Sequence, residues 1–541
     1  MLKFFVIITI LIISISSHCI ASIQAKITID ENKVINPQII GSGVNFAFSD
    51  YEYFDMLTGA QWDNIKSQHL PFPNDKEEWN RFFKLMDFSN FQYVRFCVGL
   101  SQWEPVNDND DPYEANFESG FAFSPKVKET HPEIPLKTYE YMAAMYKLLD
   151  HWEKQNKYVI LGNWDAGKNN FCPDGKMWLR EKDENGNDIF DHTKLCAVSI
   201  PEYTESLAAI MYHLKKEKKY NCVKGISFYN EPEQFSNYYN VLAQVYNLLG
   251  YQLEQLGIRD MVKIQAFDGA IFWNREDEAV KNGVEKLLNM TGKNIDIVSV
   301  HDYWTYFDYM KEKPTGVHGT IEEFMINQEV KPALEQINAY NKENDGKRFF
   351  VMGEMGSFAY TDGDSGEANY MQRLHNAEFT ARAFNSGVKA VAYWVYNNNH
   401  HSHWRFLTFD KETDQHFIPE DVNYYPMSLV MKYIQNGSDI VMSTVDGATD
   451  TDGNQRIWCS VAKKEKDTTI LIINDSNEDA VITINGIKKG TSMRKLFVSK
   501  EKTDKINIDG ELKINNNLKI SLEPLSITVL TTYSYGNEKP L

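Results

Sequence analysis

Beyond its first two dozen residues the sequence has no apolar run approaching the roughly 20 residues that cross a bilayer, so no membrane insertion of the mature chain is expected. Cations are in deficit: 56 Lys and Arg face 75 Asp and Glu, a formal charge of −19. A surface of that sign repels phosphate backbones and anionic lipid, which argues against nucleic acid and membrane as partners. It favours a neutral substrate over a polyanionic one and otherwise serves solubility. Cysteine is scarce, six in 541 residues, and no pair has the C-x-x-C spacing of a zinc site. Cys172 and Cys196 flank one polar loop. Export would permit a disulfide between them, and free thiols fit equally well. There is no low-complexity linker and no short-period repeat. Gly41-Ser42-Gly43 lacks the third glycine of a dinucleotide-binding loop, and no cofactor is expected.

What is present begins with an export signal over residues 1–21. Lys3 supplies the charged start, Phe4 to Ile15 the apolar stretch, and Cys19-Ile20-Ala21 the small residues before cleavage. Lipid anchoring at Cys19 is disfavoured by His18, which stands where a small residue is needed. The mature chain is therefore expected to be secreted or periplasmic. Its 541 residues and 43% hydrophobic content suit one large domain and one smaller one. Aromatic residues reach 13%, more than a core requires, and flat aromatic faces suit the apolar faces of sugar rings.

Eight short apolar strands, each running into polar or aromatic residues, alternate with amphipathic stretches such as Tyr139–Gln155 and Glu202–Lys218. The strands are Ile39–Phe46, Tyr93–Val98, Tyr158–Leu161, Val223–Tyr229, Val262–Phe267, Ile295–Val300, Phe349–Gly353 and Val388–Val395. Near-continuous apolar strands alternating with helices predict a parallel sheet covered on both faces. Eight such units predict an α/β fold, a (β/α)8 TIM barrel. From about Asp439 helical periodicity vanishes. Short strands separated by Asp446-Gly447, Asp452-Gly453 and Asn485-Gly486 predict an appended antiparallel β-sandwich. The expected organisation is residues 1–21 as signal, 22–37 as a segment pairing with the sandwich, 38–438 as barrel and 439–541 as sandwich.

In such a barrel the ends of the strands form the reactive face. Glu231 follows the fourth strand in Phe228-Tyr229-Asn230-Glu231-Pro232, and Glu354 follows the seventh in Val351-Met352-Gly353-Glu354. A lone glutamate after a strand is usually a solvated loop residue. Two of them facing each other across one barrel mouth match what glycoside hydrolysis needs: one carboxyl to protonate the leaving oxygen, one carboxylate to attack the anomeric carbon.

Asn230-Glu231-Pro232 after strand four and Gly353-Glu354 after strand seven resemble the paired signature of clan A glycoside hydrolases. Arg95 in Val94-Arg95-Phe96, Ser299-Val300-His301-Asp302-Tyr303 and Trp394 resemble further positions of that clan. The resemblance covers roughly residues 38–435 and implies a retaining enzyme with Glu231 as general acid/base and Glu354 as nucleophile. It places Arg95 beneath the nucleophile and Trp394 under the sugar at the cleavage point. It does not single out a family within the clan. In this scheme Asn230 meets the sugar 2-hydroxyl and Tyr303 donates to Glu354. His301 orders the same network, and Arg95 lowers the Glu354 pKa.

Trp164-Asp165 after strand three and Asn45-Phe46 on strand one are expected at the same mouth. Trp103-Glu104 and Trp304 read as structural when taken singly. His400, His401 and His403 cluster after strand eight. With no cysteine to complete a site they read as a polar rim, and no metal is expected. The reading as a whole is an exported retaining β-glycosidase acting on a polysaccharide or oligosaccharide, an endo-acting β-glucanase first. An exo-acting β-xylosidase or β-galactosidase comes second, and a carbohydrate-binding barrel without catalysis third.

Overall fold

The structure is a computed structural model. It describes residues 23–47, 75–104, 120–132, 134, 136–163, 200–231, 238–270, 279–305, 325–344, 346–358, 370–397, 404–409, 417–449 and 453–534. Strand β1 (Ile23–Ile39) precedes a closed parallel barrel of eight strands. These are β2 (Gly41–Ala47), β3 (Tyr93–Val98), β4 (Tyr158–Asn163), β5 (Val223–Ser227), β6 (Lys263–Ala270), β7 (Ile297–Thr305), β8 (Phe349–Phe358) and β9 (Ala390–Tyr393). The helices that follow them include α1 (Lys76–Ser89), α2 (Leu136–Lys154), α3 (Ile200–Tyr212) and α4 (Tyr238–Gln255). They continue with α5 (Ala279–Thr291), α6 (Lys331–Asn344), α7 (Tyr370–Ser386) and α8 (Asp421–Tyr433). The fold is the (β/α)8 barrel that the alternation of apolar strands and amphipathic stretches predicts.

The two faces of each strand have different work. Ile40, Tyr93, Ile160, Ile297, Val351, Ala390 and Ala392 form one buried cluster. Val94, Phe96, Val159, Leu161, Val298 and Val300, at the alternate positions, join the larger core shared with the helices. Farther along β3 and β7 the residues in phase with Tyr93 and Ile297 turn polar: Arg95, then Ser299, His301 and Tyr303.

A short antiparallel pair, β10 (Leu407–Phe409) and β11 (Phe417–Pro419), follows β9. The second unit is a nine-stranded sheet that joins β1 to β12 (Ser438–Asp446), β13 (Ile457–Lys464), β14 (Asp467–Asn474), β15 (Ala480–Asn485), β16 (Ser492–Ser499), β17 (Lys502–Lys513), β18 (Leu518–Leu522) and β19 (Ser526–Thr531). Their order is β17-β16-β19-β14-β13-β12-β1-β15-β18. Strand β1 pairs antiparallel with β12 and parallel with β15, the one parallel pairing in an otherwise antiparallel sheet. Two strands escape the sequence pattern. β12 opens with polar residues, and β17 lies at an edge where Ile506 is its one buried residue.

The sheet packs on α7 and α8. Leu471, Ile473, Leu496, Val498, Ile527 and Val529 belong to the same apolar cluster as the barrel helices. The Arg382 guanidinium lies 3.2 Å from the Trp458 ring centre. Asn385 Nδ2 donates to the Cys459 carbonyl at 2.8 Å, and Tyr370 OH to the Val498 carbonyl at 3.0 Å. Among the described residues, Cys97, Cys222 and Cys459 are free thiols, and no helix is long and apolar enough to cross a membrane. Residues 1–21 with Cys19, and the pair Cys172 and Cys196, lie outside the described residues.

Candidate active site

At the C-terminal ends of the barrel strands a polar network replaces the apolar interior. Arg95 on β3 is its hub and is fully buried. Its Nε donates to Asp268 Oδ2 at 3.2 Å. One terminal nitrogen donates to Glu354 Oε1 at 2.5 Å and to Asn45 Oδ1 at 3.1 Å, and the other to Asn230 Oδ1 at 2.9 Å. Tyr303 OH donates to Glu354 Oε2 at 2.7 Å. Asn45 Nδ2 donates to the Gly353 carbonyl at 2.9 Å. His301 Nδ1 lies 3.4 Å from Glu231 Oε1 and 3.7 Å from Glu354 Oε2, and its Nε2 lies 3.7 Å from Asp268 Oδ1. A carboxylate oxygen of Glu231 and one of Glu354 lie within 4.8 Å of each other. Glu354 is buried, whereas the Glu231 side chain is 28% exposed.

Two local irregularities aim these groups. In the β7/β8 pairing, Val300 and His301 face Met352 and Glu354, so Gly353 is an extra residue. In the β6/β7 pairing, Ser299 and Val300 face Phe267 and Gly269, so Asp268 is extra. Each bulge shifts the alternation of its strand, turning Glu354 and Asp268 inward. Gly353 has to be glycine: a Cβ there would stand 2.1 Å from Ser299 Oγ and 3.1 Å from Asp268 Oδ1. Gly162 likewise leaves room behind Arg95, whose Cγ would be 3.1 Å from a Cβ.

The charges are coupled. Burial opposes ionisation of Arg95, but Asp268 and Glu354 outweigh it and raise its pKa. Burial alone would raise Asp268; Arg95, with His301 and Ser299, instead holds it well below the usual carboxylate range. Burial would lower His301, but Glu354, with Asp268 and Glu231, overcomes burial and Arg95 and lifts it to about 9. The anionic neighbours thus favour the imidazolium form. Burial and the nearby Glu354 raise Tyr303 well above its ordinary value, so it remains a hydrogen-bond donor.

One expectation is incomplete and another needs correction. Arg95 does lower the Glu354 pKa, but it does not leave that pKa depressed. Complete burial raises it, His301 and Arg95 pull it back only in part, and Glu231 adds to the rise. Phe46 does not line the mouth with Asn45. Being adjacent on a strand it points the other way, into Phe82, Phe96, Trp152 and Tyr396.

The structure brings together Asn45, Arg95, Asn230, Glu231, His301, Tyr303 and Glu354. Trp394 is adjacent, in a buried cluster with Cys97, Tyr303, Val395 and Trp404. Trp103 is structural: it is fully buried and donates from Nε1 to Ser206 Oγ at 2.9 Å. Trp164, Asp165, His400, His401 and His403 lie outside the described residues. Asp268 was missed as a site residue; the sequence marks it only as the end of the fifth barrel strand. Its support was missed as well. Gln265 Nε2 donates to Asp268 Oδ1 at 2.9 Å and in turn accepts from Tyr93 OH at 2.8 Å.

Glu231, His301 and Glu354 offer ligand-type atoms mutually within 4.8 Å, a spacing that suits a divalent ion. The same three side chains suit an imidazolium at His301 placed between two carboxylates, the form its anionic neighbours favour. No described cluster of titratable side chains elsewhere has that ligand spacing.

No protein-family model matches the chain, and no curated protein matches it by sequence. Solved structures do match in fold. The α-L-arabinofuranosidase of Thermotoga maritima has a TM-score of 0.58 at 12% identity, covering 94% of this chain and 99% of that one. A family 30 endoxylanase from Clostridium papyrosolvens has a TM-score of 0.55 at 12% identity with the same coverage. An endo-β-1,6-glucanase has a TM-score of 0.55 at 14% identity, covering 94% of this chain and 93% of that one. The chain shares its overall fold with these enzymes.

Proposed function

We propose that the chain is an exported, retaining β-glycoside hydrolase that cleaves a β-linked polysaccharide, endo-action on a β-glucan being the first reading. The observation that carries the reaction class is the approach of the Glu231 and Glu354 carboxylates to within 4.8 Å. Retaining enzymes hold the two groups about 5–5.5 Å apart, and inverting ones about 6.5–9.5 Å to admit a water.

Glu354 is the nucleophile. Arg95 and Tyr303 take one oxygen each, which fixes the plane of the carboxylate. Glu231, the more exposed of the two, delivers its proton to the glycosidic oxygen as the bond to the anomeric carbon breaks and the Glu354 ester forms. The Glu231 carboxylate then takes a proton from water, whose oxygen attacks the anomeric carbon and releases Glu354. Asn230 gives its oxygen to Arg95, which leaves its amide N–H groups for the sugar 2-hydroxyl. Trp394 is the floor of that subsite.

Arabinofuranosidases among the similar structures favour removal of a terminal sugar as a second reading. The test is a panel of β-glucans, xylans, mannans and galactans with product sizes resolved and the first-formed anomer followed by proton NMR. The β-anomer appearing first, with a ladder of oligosaccharides, is expected. A first-formed α-anomer overturns retention, and monosaccharide alone overturns endo-action.

A further inference from the structure

Beside the two glutamates lies a third carboxylate, fully buried, that double displacement does not use. Asp268 has no exposed surface, and burying an extra charge beside two others is costly unless it is needed. The chain is distorted to put it there. Asp268 is the extra residue of a bulge, Phe267 and Asp268 have φ of 82° and 39°, and Glu231 has φ of 52°. Left-handed conformations at non-glycine residues are unfavourable and gather at functional sites. The three are connected, because the Glu231 main-chain N–H donates to the Asp268 carbonyl at 2.9 Å.

We infer that Asp268 is a positioning residue: its carboxylate holds His301 as a cation shared between Glu231 and Glu354, while its carbonyl holds the backbone of Glu231. The inference rests on the double-displacement reading. The charged groups around the His301 ring are Glu231 from the end of β5, Asp268 from β6, Glu354 from β8 and Arg95 from β3. Tyr303 and Ser299 flank it on its own strand. Asp268 Oδ1 faces Nε2 at 3.7 Å, an ionic contact longer than a hydrogen bond, and Nδ1 faces the two catalytic carboxylates, so the ring has anionic groups on both sides, the setting that favours a proton on each nitrogen.

The consequence follows the reaction. When Glu354 becomes an ester it loses its charge, and Nδ1–H keeps one anionic partner, Glu231. That stabilises Glu231 as a carboxylate, the form that must deprotonate water. When water cleaves the ester, Glu231 gains that proton, Glu354 regains its charge, and Nδ1–H turns back to it. The proton on His301 never leaves the ring; only the Glu231 proton is transferred.

The test uses the full chain with 15N-labelled histidine, the His301 ring signals being identified by their loss in His301→Gln. In the wild type the ring is expected to be doubly protonated at pH 7, and in Asp268→Asn to titrate at least about tenfold more easily, one pH unit or more lower. In parallel, kcat on an aryl glycoside with a good leaving group reports hydrolysis of the glycosyl-enzyme. In Asp268→Asn it is expected to gain an alkaline limb that follows the shifted His301 titration. In His301→Gln kcat is low and lacks that limb. A neutral His301 ring in the wild type at pH 7 overturns the proposal with no variant needed. So does an unchanged His301 titration in a folded Asp268→Asn, or a loss of kcat with no change in pH profile. A wild-type chain that cleaves no glycoside would remove the double-displacement reading, while the ring titration would still decide the Asp268 contact.

Discussion

The two ends of the molecule bury different things. Inside the β-sandwich the core around Ile27, Val461, Ile470, Ile472, Ile482 and Ile520 is aliphatic, and fully buried polar neighbours such as Ser460, Asn474 and Thr528 are uncharged. At the mouth of the barrel, Arg95, Asp268, His301 and Glu354 are equally hidden from solvent and all ionisable. Apolar side chains of similar volume stabilise a fold as well as buried ion pairs or better. The sandwich is therefore built as a sequence selected for folding would build it, and the mouth is not. What the mouth gains is charge held at fixed positions with little reorganisation left for the reaction.

The comparison breaks hardest at the glutamates. Glu354→Ala is expected to lower turnover on the order of 10^4-fold or more on every substrate, because no glycosyl-enzyme can form. Glu231→Ala is expected to lose about 10^2- to 10^4-fold on natural linkages. It should keep the burst with an activated aryl glycoside. Azide should rescue Glu231→Ala as the β-glycosyl azide and Glu354→Ala as the α-glycosyl azide. The opposite products would exchange the two roles.

Next come one substitution in each region. Arg95→Met leaves Asp268 and Glu354 buried without their guanidinium partner and is expected to cost about 3–5 kcal/mol of stability together with the activity. Ile472→Ala in the sandwich is expected to cost about 2–5 kcal/mol and leave kcat of the folded enzyme unchanged. Urea unfolding paired with kinetics below the transition separates the two. Equal loss of kcat in both variants would deny the division of labour.

A subtler effect is in the pH dependence of stability. The folded pKa of His301, about 9, exceeds its ordinary 6.5. Its contribution is whole below pH 6.5 and is lost as pH rises through 9. The melting temperature of wild type minus that of His301→Gln should shrink over that window; a constant difference would show that His301 is not held as a cation. The smallest effect belongs to the sandwich surface. Lys519 points outward from β18, and Lys519→Ala should change stability by less than about 0.5 kcal/mol and activity not at all.

Much of this was legible along the chain. The eight barrel strands, and the polar or aromatic residues that end most of them, follow from local pattern, since a strand buried on both faces must be apolar until it reaches the mouth. The long exposed edge strand β17 was not legible, because pairing with β16 on one side holds a segment such as Lys502–Lys513 whose own residues give little β signal. Phe46 was misplaced because strand alternation, read correctly, sends it away from Asn45. Arg95 and the direction of its pull on Glu354 are legible in the sequence; the larger opposing effect of burial is not, since burial depth cannot be read from residue spacing.

By itself the sequence determined the order of the barrel strands and helices, the two glutamates at the fourth and seventh barrel strands, and the loss of helical pattern after Asp439. Those depend on periodicity and on residue type, both local. Only the tertiary structure decided that Asp268 belongs to the site. Strict alternation would turn Phe267 inward and Asp268 out, and Gly353 inward and Glu354 out. One extra residue in each of two strands reverses this, and whether a strand bulges is settled by the register of its neighbours across the barrel, which no local pattern records.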